Sequence, residues 1–144
     1  MSFVLRSTSK ERRYLMTMEY SGINESPTID LLAASELTAP QGVALAISAT
    51  GAALPAAGAD AVGIALVSNP EKVAANGRVD VQISGCGLWK AGGAFDAGDL
   101  LATDAKGQAV KAETGNYVIA RALETATAAG DLIKVKLINS GAKA

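Results

Sequence analysis

Apolar and polar residues alternate most strictly near the end of the chain, where Ile133, Val135 and Leu137 are separated by Lys134 and Lys136. A period of two places the three apolar side chains on one face of a strand and the lysines on the other. The pattern occurs once before, in Val79, Val81 and Ile83 around Asp80 and Gln82. Upstream of each alternation the same succession of signals repeats. A strand-like run ends in a turn, Ala49-Thr50-Gly51 in one copy and Asp104-Ala105-Lys106-Gly107 in the other. The second turn has hairpin composition, because glycine takes the positive φ that closes it. A returning strand, a loop (57–60; 113–116) and a buried strand (62–67; 117–123) follow in both. Gly42 answers Gly98, Ala46 answers Ala102, Gly51 answers Gly107, Leu54 answers Val110, and Ala65-Leu66 answers Ala122-Leu123. These matches predict an internal duplication with units at about 42–84 and 94–138. About eight short strands with regularly spaced turns predict a mainly β fold, a small internally duplicated β-barrel or sandwich.

The first 38 residues do not share this pattern and are read as an N-terminal arm or interaction segment, with residues 39–144 forming the duplicated β domain. Ser26 as N-cap and Pro27 at the first helical position predict a short helix over 27–37, with an extended arm as the alternative. Arg6, Lys10, Arg12 and Arg13 against Glu11 and Glu19 give the first twenty residues a charge of four minus two, +2. Phe3, Val4, Leu5, Tyr14, Leu15, Met16, Met18 and Tyr20 make the segment too apolar for a solvated tail. Phe3, Val4, Leu5, Arg6, Arg12 and Arg13 are therefore candidate interface residues.

Between the two units lies a glycine-rich connector, 85–95, carrying Trp89 and Phe95. As the sole tryptophan in a chain with 4% aromatics, Trp89 reads first as a plug for the core. The alternative is a partner-facing anchor, and Trp89 stays among the candidate interface residues on that ground.

Composition removes several classes of chemistry. The chain has no histidine and one cysteine, Cys86. The commonest general base is absent, as are a zinc set, an activated thiol pair and an internal disulfide. No phosphate-binding glycine motif occurs, and Asp96, Asp99 and Asp104 lack calcium-loop spacing and fit turns instead. The expectation is no catalytic residue, no metal and no cofactor. A net charge of −1 gives no reason to expect nucleic acid. The uncharged stretch 42–59 is long enough to raise a membrane span, but its counterpart in the second copy carries Asp99, Asp104, Lys106, Lys111 and Glu113. No signal peptide is visible at the N-terminus, so the chain is expected to be made in the cytoplasm.

The string from Gly98 to Glu113 resembles the hairpin of lipoyl and biotinyl carrier domains, which would make Lys106 the modified residue. Against this, Gly107 follows Lys106 as the turn's own glycine, and Thr50 stands at the equivalent place in the first unit. A better fit is Gly98-Asp99-Leu100, the Asp104-to-Gly107 turn, Ala120-Arg121-Ala122-Leu123-Glu124 and the closing Ala129-to-Leu137 string. With the paler first-unit versions, Val62–Leu66 and Val79–Ile83, these resemble the capsid decoration, or cement, proteins of tailed bacteriophages, from about residue 40 to 138. The resemblance implies a structural, non-enzymatic virion protein on the outer surface of a phage head, stabilising capsomer junctions. It also implies that the partners are the major capsid protein and further copies of the chain, as a dimer or trimer. A carrier domain or another oligomeric binding module is the alternative.

Overall fold

The computed structural model describes residues 27–143. Twelve strands follow one another, with no helix among the described residues. They are β1 (Thr28–Leu32), β2 (Leu37–Thr38), β3 (Ala44–Ser48), β4 (Gly51–Ala53), β5 (Gly63–Ala65), β6 (Lys72–Val73), β7 (Arg78–Gln82), β8 (Gly85–Lys90), β9 (Leu100–Thr103), β10 (Ala109–Lys111), β11 (Tyr117–Ala122) and β12 (Leu132–Ala142). One five-stranded sheet has the order β4-β3-β5-β7-β1 and the other β10-β9-β11-β12-β8. A two-stranded sheet, β2 with β6, accompanies the first.

The two orders are the same topology run twice. Each half opens with a strand that ends at the edge beside its half's last strand, followed by a hairpin and two further strands. Register repeats from one half to the other: Leu31 lies opposite Val79 in the first, and Trp89 lies opposite Ile133 in the second. Each sheet then closes on itself through one parallel bridge, Ala33 to Ala52 in the first half and Ala91 to Ala109 in the second. All four alanines are fully buried, and their small side chains let the backbones meet where the sheet curls into a barrel. The fold is thus all-β and duplicated, as the alternation predicts. The expected match of Gly51 with Gly107 and of Leu54 with Val110 is corrected. Ile47 and Ala52 close a turn one residue shorter than Thr103 and Ala109, so that Ala52 answers Ala109 and Ala53 answers Val110.

Two further local expectations are corrected. Residues 28–32, predicted as helix within 27–37, form a strand paired with β7, and Asp30 on it is bridged by Arg78. The Ser-Pro start is compatible with a helix locally, but pairing on β7 decides the outcome, since tertiary context overrides weak propensity. The segment assigned to an arm therefore contributes the first barrel's opening strand. Likewise the glycine-rich connector is no loop at its start, because Gly85–Lys90 pairs along β12 in unbroken register. The structural unit is one strand longer than the repeat visible in the sequence. TIDLL and GCGLWK share too little for the eye to match them.

The first barrel encloses Leu45, Val73, Val79 and Val81 with Ala33, Ala52 and Ala65. The second encloses Trp89, Leu101, Ile119, Ile133 and Val135, and its cluster also takes in Ala44, Ala61 and Ile64 of the first barrel. The two halves therefore share a continuous apolar contact. Trp89 is completely buried and donates its indole N–H to the Gly107 carbonyl at 2.8 Å. The same carbonyl accepts the Ala44 backbone N–H at 2.7 Å.

Gly107 sits in a turn braced by Asp104, whose Oδ1 accepts the N–H groups of Lys106 at 2.9 Å and Gln108 at 2.8 Å. Its φ is +79°, and a methyl group added there would lie 2.7 Å from the Ala44 carbonyl oxygen. Gly115 also has a positive φ, +92°, but faces open space. Gly115→Ala is expected to lose about 1 kcal/mol, the cost of a left-handed residue alone. Gly107→Ala is expected to lose more than about 2 kcal/mol, because backbone must also move. Urea unfolding of the two variants measures the difference, and equal losses would show that the joint does not press on Gly107.

Candidate functional site

The candidate site is built from what the two barrels cover and what they leave open. On the outer side of the first sheet, Ala44, Ile64 and Gln82 stand side by side on β3, β5 and β7. All three are buried, because the second barrel lies over them. Gln82 donates from Nε2 to the carbonyls of Ser84 at 2.9 Å and Cys86 at 2.6 Å. Gly87 passes so close that a methyl group on it would lie 2.2 Å from Gln82 Oε1. Further along, the Lys90 N–H bonds the Gly42 carbonyl at 2.7 Å, the Gly58 N–H bonds the Thr103 carbonyl at 2.8 Å, and the Tyr117 N–H bonds the Gly58 carbonyl at 3.0 Å. A shallow apolar cleft of about 120 Å³ remains at the edge of this joint, between Ile64–Val67 and Gly87-Leu88.

Two open surfaces stand out. One is on the first barrel, where Ile29, Leu32, Ile47 and Leu54 are exposed. The other is the outer side of the second sheet. There Arg121 lies directly opposite Lys136 on the neighbouring strand, with Leu100 beyond it and Lys134 two residues along. Arg121, Lys134 and Lys136 are all exposed, and Arg121 also donates to the Gly98 carbonyl at 2.9 Å. The ion pairs among the described residues are both on the first barrel: Lys72 with Glu36 at 3.2 Å, and Arg78 with Asp30.

The residues singled out from the sequence fall in different places. Phe3, Val4, Leu5, Arg6, Arg12 and Arg13 lie outside the described residues. Trp89 is core, and its complete burial removes it from the candidate interface. Pro27, the first described residue, lies at the end of β7 close to the joint, where its carbonyl accepts the Ile83 N–H at 3.1 Å. The row Leu100–Arg121–Lys136 escaped sequence reasoning, since its members come from three strands and adjoin only once the sheet forms.

Lys106 is exposed, but its turn does not project as a free hairpin tip. Gly107 beside it is pressed against the first barrel, and Lys106 borders a cleft with Thr38, Val43, Leu54 and Lys90. Among the described residues there is also no group of three or more Cys, Asp or Glu side chains arranged to hold a metal ion.

Comparison with known proteins follows the same direction. The model of a family described as phage cement protein matches residues 23–137. No curated protein matches the chain. Among solved structures, the N base of head fiber gp8.5 of bacteriophage phi29 has a similar fold, with a TM-score of 0.63 at 20% identity. The match covers 82% of this chain and 98% of that one.

Two measurements follow from the placement of Trp89 and Lys106. The chain's single tryptophan is expected to emit at short wavelength and resist quenching by acrylamide, and Trp89→Phe is expected to cost about 1–3 kcal/mol in urea unfolding through the lost buried hydrogen bond. Emission at the wavelength of solvated indole would contradict the burial. Intact mass spectrometry of protein from its native source is expected to give the mass of the unmodified chain, and a lipoyl or biotinyl adduct on Lys106 would revive the carrier reading.

Proposed function

This chain belongs to the phage cement protein family, and we propose that it binds the outer surface of a phage head and stabilises the junctions between capsomers. It is a structural protein of the phage head and not an enzyme. The observation that carries the reading is the family match, which spans both barrels from just before β1 to within β12. The duplicated body is thus what the family shares. The first 22 residues, with Phe3, Val4, Leu5, Arg6, Arg12 and Arg13, lie outside the match, as suits a segment adapted to one particular shell.

The physics of such a role asks for contact area. A protein that binds the mature shell and not its precursor stabilises the mature state by mass action. Repetition over a lattice lets weak individual contacts hold collectively. In this reading the major capsid protein is the partner, and the arm is the anchor. Its apolar, β-prone start suits addition to an exposed sheet edge, and its basic residues suit steering toward an acidic surface.

Removal of residues 1–20 leaves all twelve described strands intact in the sequence. The truncated protein is expected to keep its β circular dichroism spectrum and lose at least about tenfold in affinity for purified heads. Decoration at wild-type occupancy by the truncated protein would reject the arm as anchor. Failure of the full chain to bind heads of its own phage would reject the reading as a whole.

A further inference from the structure

The joint between the two barrels joins unlike faces, and each barrel leaves open the face that the other has used. The receiving face on the first barrel is the row Ala44, Ile64 and Gln82, flanked by Gly42 and Gly58. By register its equivalent on the second barrel is Leu100, Arg121 and Lys136, flanked by Gly98 and Gly115. A methyl group on Gly42 would lie 3.0 Å from Leu132 Cδ2, and one on Gly58 would lie 2.5 Å from Asn116 Nδ2. On Gly98 or Gly115 it would meet nothing within 4 Å. The second barrel's receiving face is therefore uncovered.

The entering face shows the converse. The second barrel enters the joint with Gly87, Lys90 and Thr103. Their equivalents on the first barrel are Ile29, Leu32 and Ile47, located by the pairings with Val81, Arg78 and Ala52. Thr103 is buried at 1% exposure in the joint, whereas Ile47 is 55% exposed, Leu32 50% and Ile29 38%. Ile29 and Ile47 thus stand open where their equivalents Gly87 and Thr103 are buried, while Leu32, on the opposite face of β1 from Ile29, answers the half-buried Lys90.

We propose that a second copy of this chain occupies these faces, with the first barrel of one copy docking on the outer row of the second barrel of the next and repeating the joint found inside each chain. Charge favours this occupant. Asp30 is the equivalent of Leu88, which borders the cleft beside Ile64 and Gln82. In the repeated joint Asp30, which pairs with Arg78 on its own sheet, comes beside Arg121 and Lys136, and the cross-strand neighbour Asp80 lies next to it, so two carboxylates and one guanidinium face two cations. The covered row is apolar and amide where it meets Leu88 within the chain, and it is basic where it would meet Asp30. Such a contact is heterologous, since it uses different patches on the two copies, and its rotation decides whether a ring closes.

The test uses the full chain in sedimentation velocity over a range of concentration and salt. The wild type is expected to self-associate, more weakly as salt rises. Arg121→Glu combined with Lys136→Glu is expected to weaken association at least about tenfold, and Asp30→Lys combined with Asp80→Lys to do the same. An equimolar mixture of the two charge-reversed variants is expected to associate again, because each supplies the face the other needs. All four positions are exposed, and circular dichroism checks that the fold is kept. A wild type that stays monomeric, a Glu variant that associates like the wild type, or a mixture no better than its components would each overturn the proposal. Head binding is measured separately, so a monomer that still decorates heads would reject this contact and leave the head-binding reading standing.

Discussion

Much of this molecule hangs on one backbone carbonyl. Gly107 O accepts the Trp89 indole N–H from the opening strand of the second barrel and the Ala44 N–H from the first barrel. A carbonyl has two lone pairs, and here both find buried donors. Without it the indole would be a buried donor with nothing to bond, at a cost of about 1–3 kcal/mol. The carbonyl is aimed by a turn that Asp104 holds from inside. Hairpin, core plug and barrel–barrel joint are thus coupled, and the absence of a Cβ at Gly107 lets the first barrel come close enough.

The joint also explains how a chain so rich in alanine and so poor in aromatics holds a fold. Each barrel spans roughly 60 residues, a size at which a domain buries little surface and is marginal alone. Sharing Ala44, Ala61 and Ile64 with the second cluster enlarges both cores. The halves have specialised accordingly. Trp89 fills the second core at the place where the first has the smaller Leu31. Ile64 and Gln82 lie under the joint, whereas their equivalents Arg121 and Lys136 face outward. Duplication supplied the frame, and the outer rows diverged to suit what each now touches.

For a structural head protein, function resides in such rows and edges rather than in a pocket. Clefts lie at the joint and beside Ile47 and Asp60 on the first barrel, and the carboxylates of Asp104 and Asp131 brace turns. The uncovered apolar residues of the first barrel and the basic residues Arg121 and Lys136 of the second are of a different kind, because they stand open on the surface.

Local patterning carried a good part of this in the sequence. The strict alternation at 79–83 and 133–137, the Asp-x-x-Gly turn and the paired Gly42 and Gly98 determined strands, hairpins and duplication, since period and turn chemistry are local properties. The lack of histidine and of metal-binding spacing pointed to a structural role, and a lone tryptophan pointed to the core. Tertiary structure alone decided the rest. Residues 28–32 became a strand because β7 offered an edge, which outweighs a Ser-Pro helix start. Gly85–Lys90 became a strand because β12 is long enough to pair with it. Arg121 and Lys136 became neighbours because register joined two strands that lie apart in the chain. Contacts between distant segments leave no trace in local composition, so the face these residues form exists only once the sheet has closed.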